Sequence, residues 1–143
     1  MSETAFWDTV DALRVEHTDY MRPAYGFVVH ALTRTVEGLP EERLSDPVHR
    51  HLSGRELLEG LGRLAREEFG PMAPAVFREW GVVSSEDVGA IVFRLVEAGQ
   101  LSARPEDTLA DFSNGPALMP ALAAPLEWGG AVSADRLSGR SRA

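Results

Sequence analysis

The side chains best suited to chemistry in this chain are few: the pair His49-x-His51, and the phenols Tyr20 and Tyr25. Two imidazoles two residues apart, with Asp46 close in sequence, offer two ligands to a zinc ion that a carboxylate would complete. With Tyr20 or Tyr25 in the same cleft, that loop becomes the basis of a metal-dependent enzyme. The pair lies between Pro47 and the next helix start, with no third ligand at a fixed spacing. The simpler reading is a loop with two surface histidines. His17 falls on the apolar face of a predicted helix, where a half-buried imidazole is commoner than a catalytic one.

Other groups that do chemistry elsewhere are not arranged for it here. The acid pairs Glu41-Glu42, Glu67-Glu68 and Glu86-Asp87 are adjacent in sequence, so on helices they diverge by about 100° and read as solvated surface. Ser45, Ser53, Ser84 and Ser85 sit in helix-capping contexts, without a G-x-S-x-G frame. There is no phosphate-loop or dinucleotide glycine motif. All fourteen basic residues are arginine, which removes Schiff-base lysines and a phosphate-loop lysine. There is no cysteine, hence no disulfide framework, thiolate metal site or thiol nucleophile. No catalytic residue, metal or cofactor is assigned on this reading.

The 143 residues carry a net charge of −8, concentrated in residues 1–112, while residues 113–143 are slightly basic. An acidic body repels phosphate backbones, so nucleic-acid binding would need a local arginine patch, for which Arg22, Arg34, Arg78, Arg94 and Arg104 are the candidates. No run approaches ~20 apolar residues and the N-terminus lacks a basic-then-apolar leader, so a soluble, cytoplasmic protein without a membrane partner is expected.

The elements that would position these residues are helical. Phe6, Val10, Leu13 and His17 recur at helical spacing over 3–16. A second helix follows Pro23 and ends at Gly38, with Tyr25, Val28, Val29, Leu32 and Val36 as its core face. A short helical turn at 41–44 sits in an irregular connection. Ser53-Gly-Arg-Glu56 spells a capping box that opens a third helix, whose Leu57, Leu58, Leu61, Leu64, Ala65 and Phe69 form a wide apolar stripe. Glu59 and Arg63 are set in the favourable order for an ion pair on its other side. After Gly70-Pro71 a short helix runs 73–80, Gly81 closes it, Val82 and Val83 turn inward, and Ser84 or Ser85 caps a fifth helix bearing Val88, Ile91, Val92, Leu95 and Val96. Leu109 and Phe112 can tuck back onto this body.

The predicted fold is therefore all-α: a compact bundle of about five helices over 1–115. Its C-terminal half resembles a helix-turn-helix or winged-helix unit, and a Pro/Ala/Gly-rich tail over 116–143 is taken as largely flexible, with at most one ordered patch at 118–128. Truncation after Gly115 is expected to leave the body folded. The would-be recognition helix carries Glu86, Asp87 and Glu97 against Arg94 alone, a poor set for reading base edges. Trp128, isolated among small residues, is a candidate partner anchor, with Leu126 beside it and Arg94 on the fifth helix as further candidate contacts.

The string from HLSGRELLEG through EFGPMA and EWG-x-x-S-x-ED to EAGQLS resembles the Minf-type family of conserved hypothetical bacterial proteins. YMRPAYGFVVHAL and EDTLADFSNG resemble its beginning and end, so the likeness spans roughly residues 4–115. That family carries no assigned activity. The resemblance implies that the 53–101 segment is a diagnostic unit and transfers no functional residue. The expectation is a non-catalytic protein-interaction or regulatory module. The alternatives are a winged-helix-like nucleic-acid binder and the His49/His51 metal enzyme.

Overall fold

The computed structural model describes residues 3–46, 52–101, 112 and 117–124. The chain is all-α. Its helices are α1 (Glu3–Glu16), α2 (Arg22–Glu37), α3 (Glu41–Leu44), α4 (Gly54–Phe69), α5 (Ala73–Trp80), α6 (Ser85–Glu97) and α7 (Leu118–Ala123), with a 3-10 turn at Gly70–Met72. Among the described residues there is no strand.

Helix α4 is central: α2, α5, α6 and α7 all pack against it. It begins as the sequence spells it. The Ser53 hydroxyl accepts from the Glu56 amide at 3.1 Å, and the Glu56 carboxylate accepts from the Ser53 amide at 3.0 Å. Leu57, Leu58, Leu61, Leu64 and Ala65 are all buried. On its outer face the expected Glu59–Arg63 pair does not form; the ion pair seen there is Arg34 of α2 with Glu67, at 3.4 Å. The packing of α2 along this face brings Arg34 to the acid one turn further on.

Helix α2 buries Ala24, Tyr25, Phe27, Val28 and Ala31. Val29, Leu32 and Val36, expected in the core, are only half-buried, and the face is rotated toward Phe27. Phe27 is the hub of an aromatic cluster, with ring centroids 5.4 Å from Phe69, 5.6 Å from Phe77 and 5.5 Å from Trp80. This cluster ties α2, α4 and α5 together, and offset or edge-on aromatic pairs add to the area they bury. Helix α1 is the most lightly held of the long helices, with Val10 alone fully buried. Trp7 lies over Gly26 of α2, where a Cβ would come within 2.6 Å of the indole.

Two departures from expectation concern the C-terminal half. Val83 does not turn inward: it is 50% exposed, and Val82 alone fills the core at 1%. Val82 and Val83 both follow the left-handed turn at Gly81, and Val83 gives its amide to the Asp87 carboxylate in the cap of α6, with its side chain left outside. Residues 118–123, which fall in the one patch of the tail allowed to be ordered, form α7, and Leu118 (2% exposed) and Leu122 (1%) lie in the same core as α4. The packed body therefore continues past residue 115. Phe112 is buried as well.

Candidate functional site

The densest set of long-range polar contacts joins the loop 17–21, between α1 and α2, to the start and middle of α6. Asp87 is the third residue of α6 and closes a capping box with Ser84. One of its carboxylate oxygens accepts from the amides of Val83 (2.9 Å) and Ser84 (3.0 Å). The other accepts from the Tyr20 hydroxyl at 2.6 Å. Two turns on, both terminal nitrogens of Arg94 donate to the two carboxylate oxygens of Asp19, each at 2.9 Å, and one also donates to the Tyr25 hydroxyl at 3.0 Å. The guanidinium stands 4.9 Å from the centre of the Tyr20 ring. Arg14 donates to the Tyr20 carbonyl at 3.0 Å, and the Met21 amide donates to the Trp80 carbonyl at 3.0 Å. Gly81 lies so close to the Asp19 carbonyl that a Cβ there would collide with it.

The electrostatics of this cluster hold it shut rather than make it reactive. The hydrogen bonds from Arg94 set the Asp19 carboxyl below the usual carboxylate range. Burial, then the hydrogen bond to Asp87, raises the Tyr20 phenol well above its ordinary value, so it stays protonated and acts as neither base nor nucleophile near neutrality. Arg94 has a bidentate partner, a phenol and an aromatic face, which satisfies a guanidinium. The chemical work of the cluster is to latch two helices together.

Two open clefts flank the body. One, of about 340 Å³, runs between α2 and α4 and is lined by Arg34 of α2 and by Glu59, Arg63 and Glu67 of α4. Among the described residues that line it there is neither a histidine nor a hydroxyl free of helix bonding, since Thr35 donates to the Ala31 carbonyl at 2.7 Å. The other, of about 310 Å³, separates Val83–Glu86 from Ala117–Pro120. Among the described residues, the large apolar side chains most open to solvent are Val15 (81%), Met72 (61%), Val83 (50%) and Met21 (41%). Met21 and Val83 border the latch.

The structure brings some of the candidate residues from the sequence together and leaves others apart. Arg94 is committed to Asp19 and Tyr25, with its side chain 16% exposed. Tyr20 and Tyr25 stand together, their rings 6.4 Å apart, and their hydroxyls go to Asp87 and Arg94 rather than to a histidine. His17 sits just past α1, half-buried, with its amide bonded to the Leu13 carbonyl, and His30 is exposed. His49, His51, Arg104, Leu126 and Trp128 lie outside the described residues. No three of the described His, Asp and Glu residues converge as a metal site would require. Of the arginines that might have formed a basic patch, Arg22 pairs with Asp11 at 2.7 Å, Arg34 with Glu67 and Arg94 with Asp19.

Sequence reasoning missed Asp19 and Asp87 as partners because they act 75 and 67 residues from Arg94 and Tyr20. One signal was available. Arg94 stands in the apolar run Ile91-Val-Phe-Arg-Leu-Val96, and a charge in such a setting calls for a paired acid.

No helix among the described residues is long and apolar enough to cross a membrane. In comparisons with known proteins, the chain matches no family model, no curated protein and no solved structure.

Proposed function

We propose that this chain is a non-catalytic protein-interaction or regulatory module of the cytoplasm. The observation that carries this reading is the latch with its apolar borders. The convergent polar side chains bond one another, while Met21 and Val83 are held out on backbone that the latch immobilises. Exposed apolar side chains on a rigid frame are what a partner groove binds at low entropic cost. Trp128 and Leu126 follow α7 within a few residues and supply the second half of the proposed contact.

The test is native co-purification with the full chain, followed by reconstitution with the partner identified. A stoichiometric partner should bind at least tenfold more weakly to Met21→Asp/Val83→Asp or to Trp128→Ala, with circular dichroism unchanged. A partner indifferent to all three changes, or small-molecule turnover by the purified chain, overturns the proposal.

The pair α5–Gly81–α6 favours a second reading, a winged-helix-like nucleic-acid binder with α6 as the reading helix. The charges oppose it: the exposed residues of α6 include Glu86 and Glu97, and Arg94 faces Asp19. Retention on duplex DNA at low salt, lost in Arg78→Glu, is the result that would favour this reading over the first. The reading as a metal enzyme through His49 and His51 requires stoichiometric zinc in the purified chain, which elemental analysis measures directly.

A further inference from the structure

Helix α7 is seated on the body as a ligand is seated in a groove. It is six residues long, has no side-chain cap at its N-terminus, and packs against α4 and α5. Among the described residues it is held by Leu118 and Leu122, four apart and both buried, by half-buried Met119, and by one hydrogen bond from Arg66 Nη1 to the Ala121 carbonyl. Gly62 of α4 leaves room for Ala121: a Cβ on Gly62 would stand 3.4 Å from that of Ala121. Met119 packs half-buried at the edge of the core, and beyond it, among the described residues, a cleft of about 310 Å³ separates Met119 and Pro120 from the start of α6. A helix this short has little stability of its own and persists only while it is docked. Short terminal segments open locally without global unfolding, even where they dock on the core.

We infer that the α4–α5 face under α7 is a peptide-docking groove, filled at rest by the chain's own α7. It accepts from a protein partner a short helical segment of the same chemistry, two leucines at i and i+4 with a small residue at i+3. The resident segment argues for that occupant, because it displays the pattern the groove already fits. The inference rests on the interaction-module reading and adds to it a site and a partner class. The two fail separately, because the groove is tested without any partner, whereas the co-purification result does not depend on α7 moving.

The chain has no cysteine, so a single introduced thiol reports opening cleanly. In the full chain, Leu122→Cys should react with an aromatic disulfide reagent at least tenfold faster than Leu61→Cys at the centre of α4. Its rate should rise only weakly with dilute urea, while that of Leu61→Cys rises steeply. A synthetic peptide of residues 117–124 at millimolar concentration should hold the groove open and raise the Leu122→Cys rate about twofold or more, as expected when it binds only the open form. A peptide of scrambled order should not. Leu118→Cys serves as reporter where Leu122→Cys does not fold. Parallel urea dependence for the α7 and α4 thiols overturns the inference, as does a native peptide without effect. A reaction rate that depends on protein concentration, with a dimer in light scattering, makes a second copy the occupant and overturns the partner assignment.

Discussion

At the scale of single residues, the latch makes the clearest demands. Tyr20→Phe removes one hydrogen bond while leaving Asp87 its backbone donors, so it should cost about 1 kcal/mol in urea unfolding. Arg94→Met removes a bidentate ion pair and a bond to Tyr25. It should cost about 1–3 kcal/mol, toward the lower end because half of the Asp19 side chain is open to water. The pH dependence follows from the lowered Asp19 carboxyl. A depressed acid stabilises the fold above its unfolded value of 3.8 and loses that contribution as pH falls through the folded value below it. The gap in stability between the native chain and Arg94→Met should therefore be larger at pH 6 than at pH 2.5. A gap of equal size at both would show that the lost packing of the arginine stem, rather than the ion pair, sets the effect. Tyr20 works in the opposite direction: its raised phenol stabilises the fold below its ordinary value of 10 and ceases to do so as the solution becomes strongly alkaline.

At the scale of elements, the turn between α5 and α6 separates two effects that glycine usually merges. Gly81 has φ +86° and Gly99 φ +79°, so alanine at either suffers a left-handed conformation worth about 1–2 kcal/mol. Gly99 has open space around it, whereas at Gly81 the new methyl meets the Asp19 carbonyl. Gly81→Ala should thus unfold at clearly lower urea than Gly99→Ala, and equal midpoints would show that the loop 17–21 yields freely. The starts and stops of these elements were legible in the sequence because capping is local. Ser53 with Glu56, Ser84 near Asp87, and Gly81 act within four residues. The faces were less legible. In α2 both the Tyr25–Val36 stripe and the Phe27 stripe satisfy helical spacing, and the choice is made by rings on α4 and α5, 42 to 53 residues away. The latch was illegible for the same reason, apart from the misplaced charge of Arg94.

At the scale of the whole molecule, composition allowed an ordered patch at 118–128 but did not show that it belongs to the core. The segment Leu118–Ala123 is at least as rich in Ala and Pro as residues 124–143, yet it closes the core, since two leucines with a docking face suffice to order six residues. Burying a leucine is worth about 1.5–3 kcal/mol, so truncation after Gly115 should lower stability by about 3 kcal/mol or more. For a domain of this size that is a large share of the total. Truncation after Ala124 retains both leucines and the carbonyl that Arg66 holds, while removing Leu126 and Trp128. The two truncations separate the roles assigned to the C-terminal segment. The shorter product should lose stability. The longer one should keep its urea midpoint within about 0.5 kcal/mol of the native chain, as changes away from packed features do, and lose partner retention. Equal midpoints for the two products would mean that α7 contributes nothing to the folded state and that its leucines are replaceable by water. A longer product that still retains its partner would move the interaction onto the Met21–Val83 border alone.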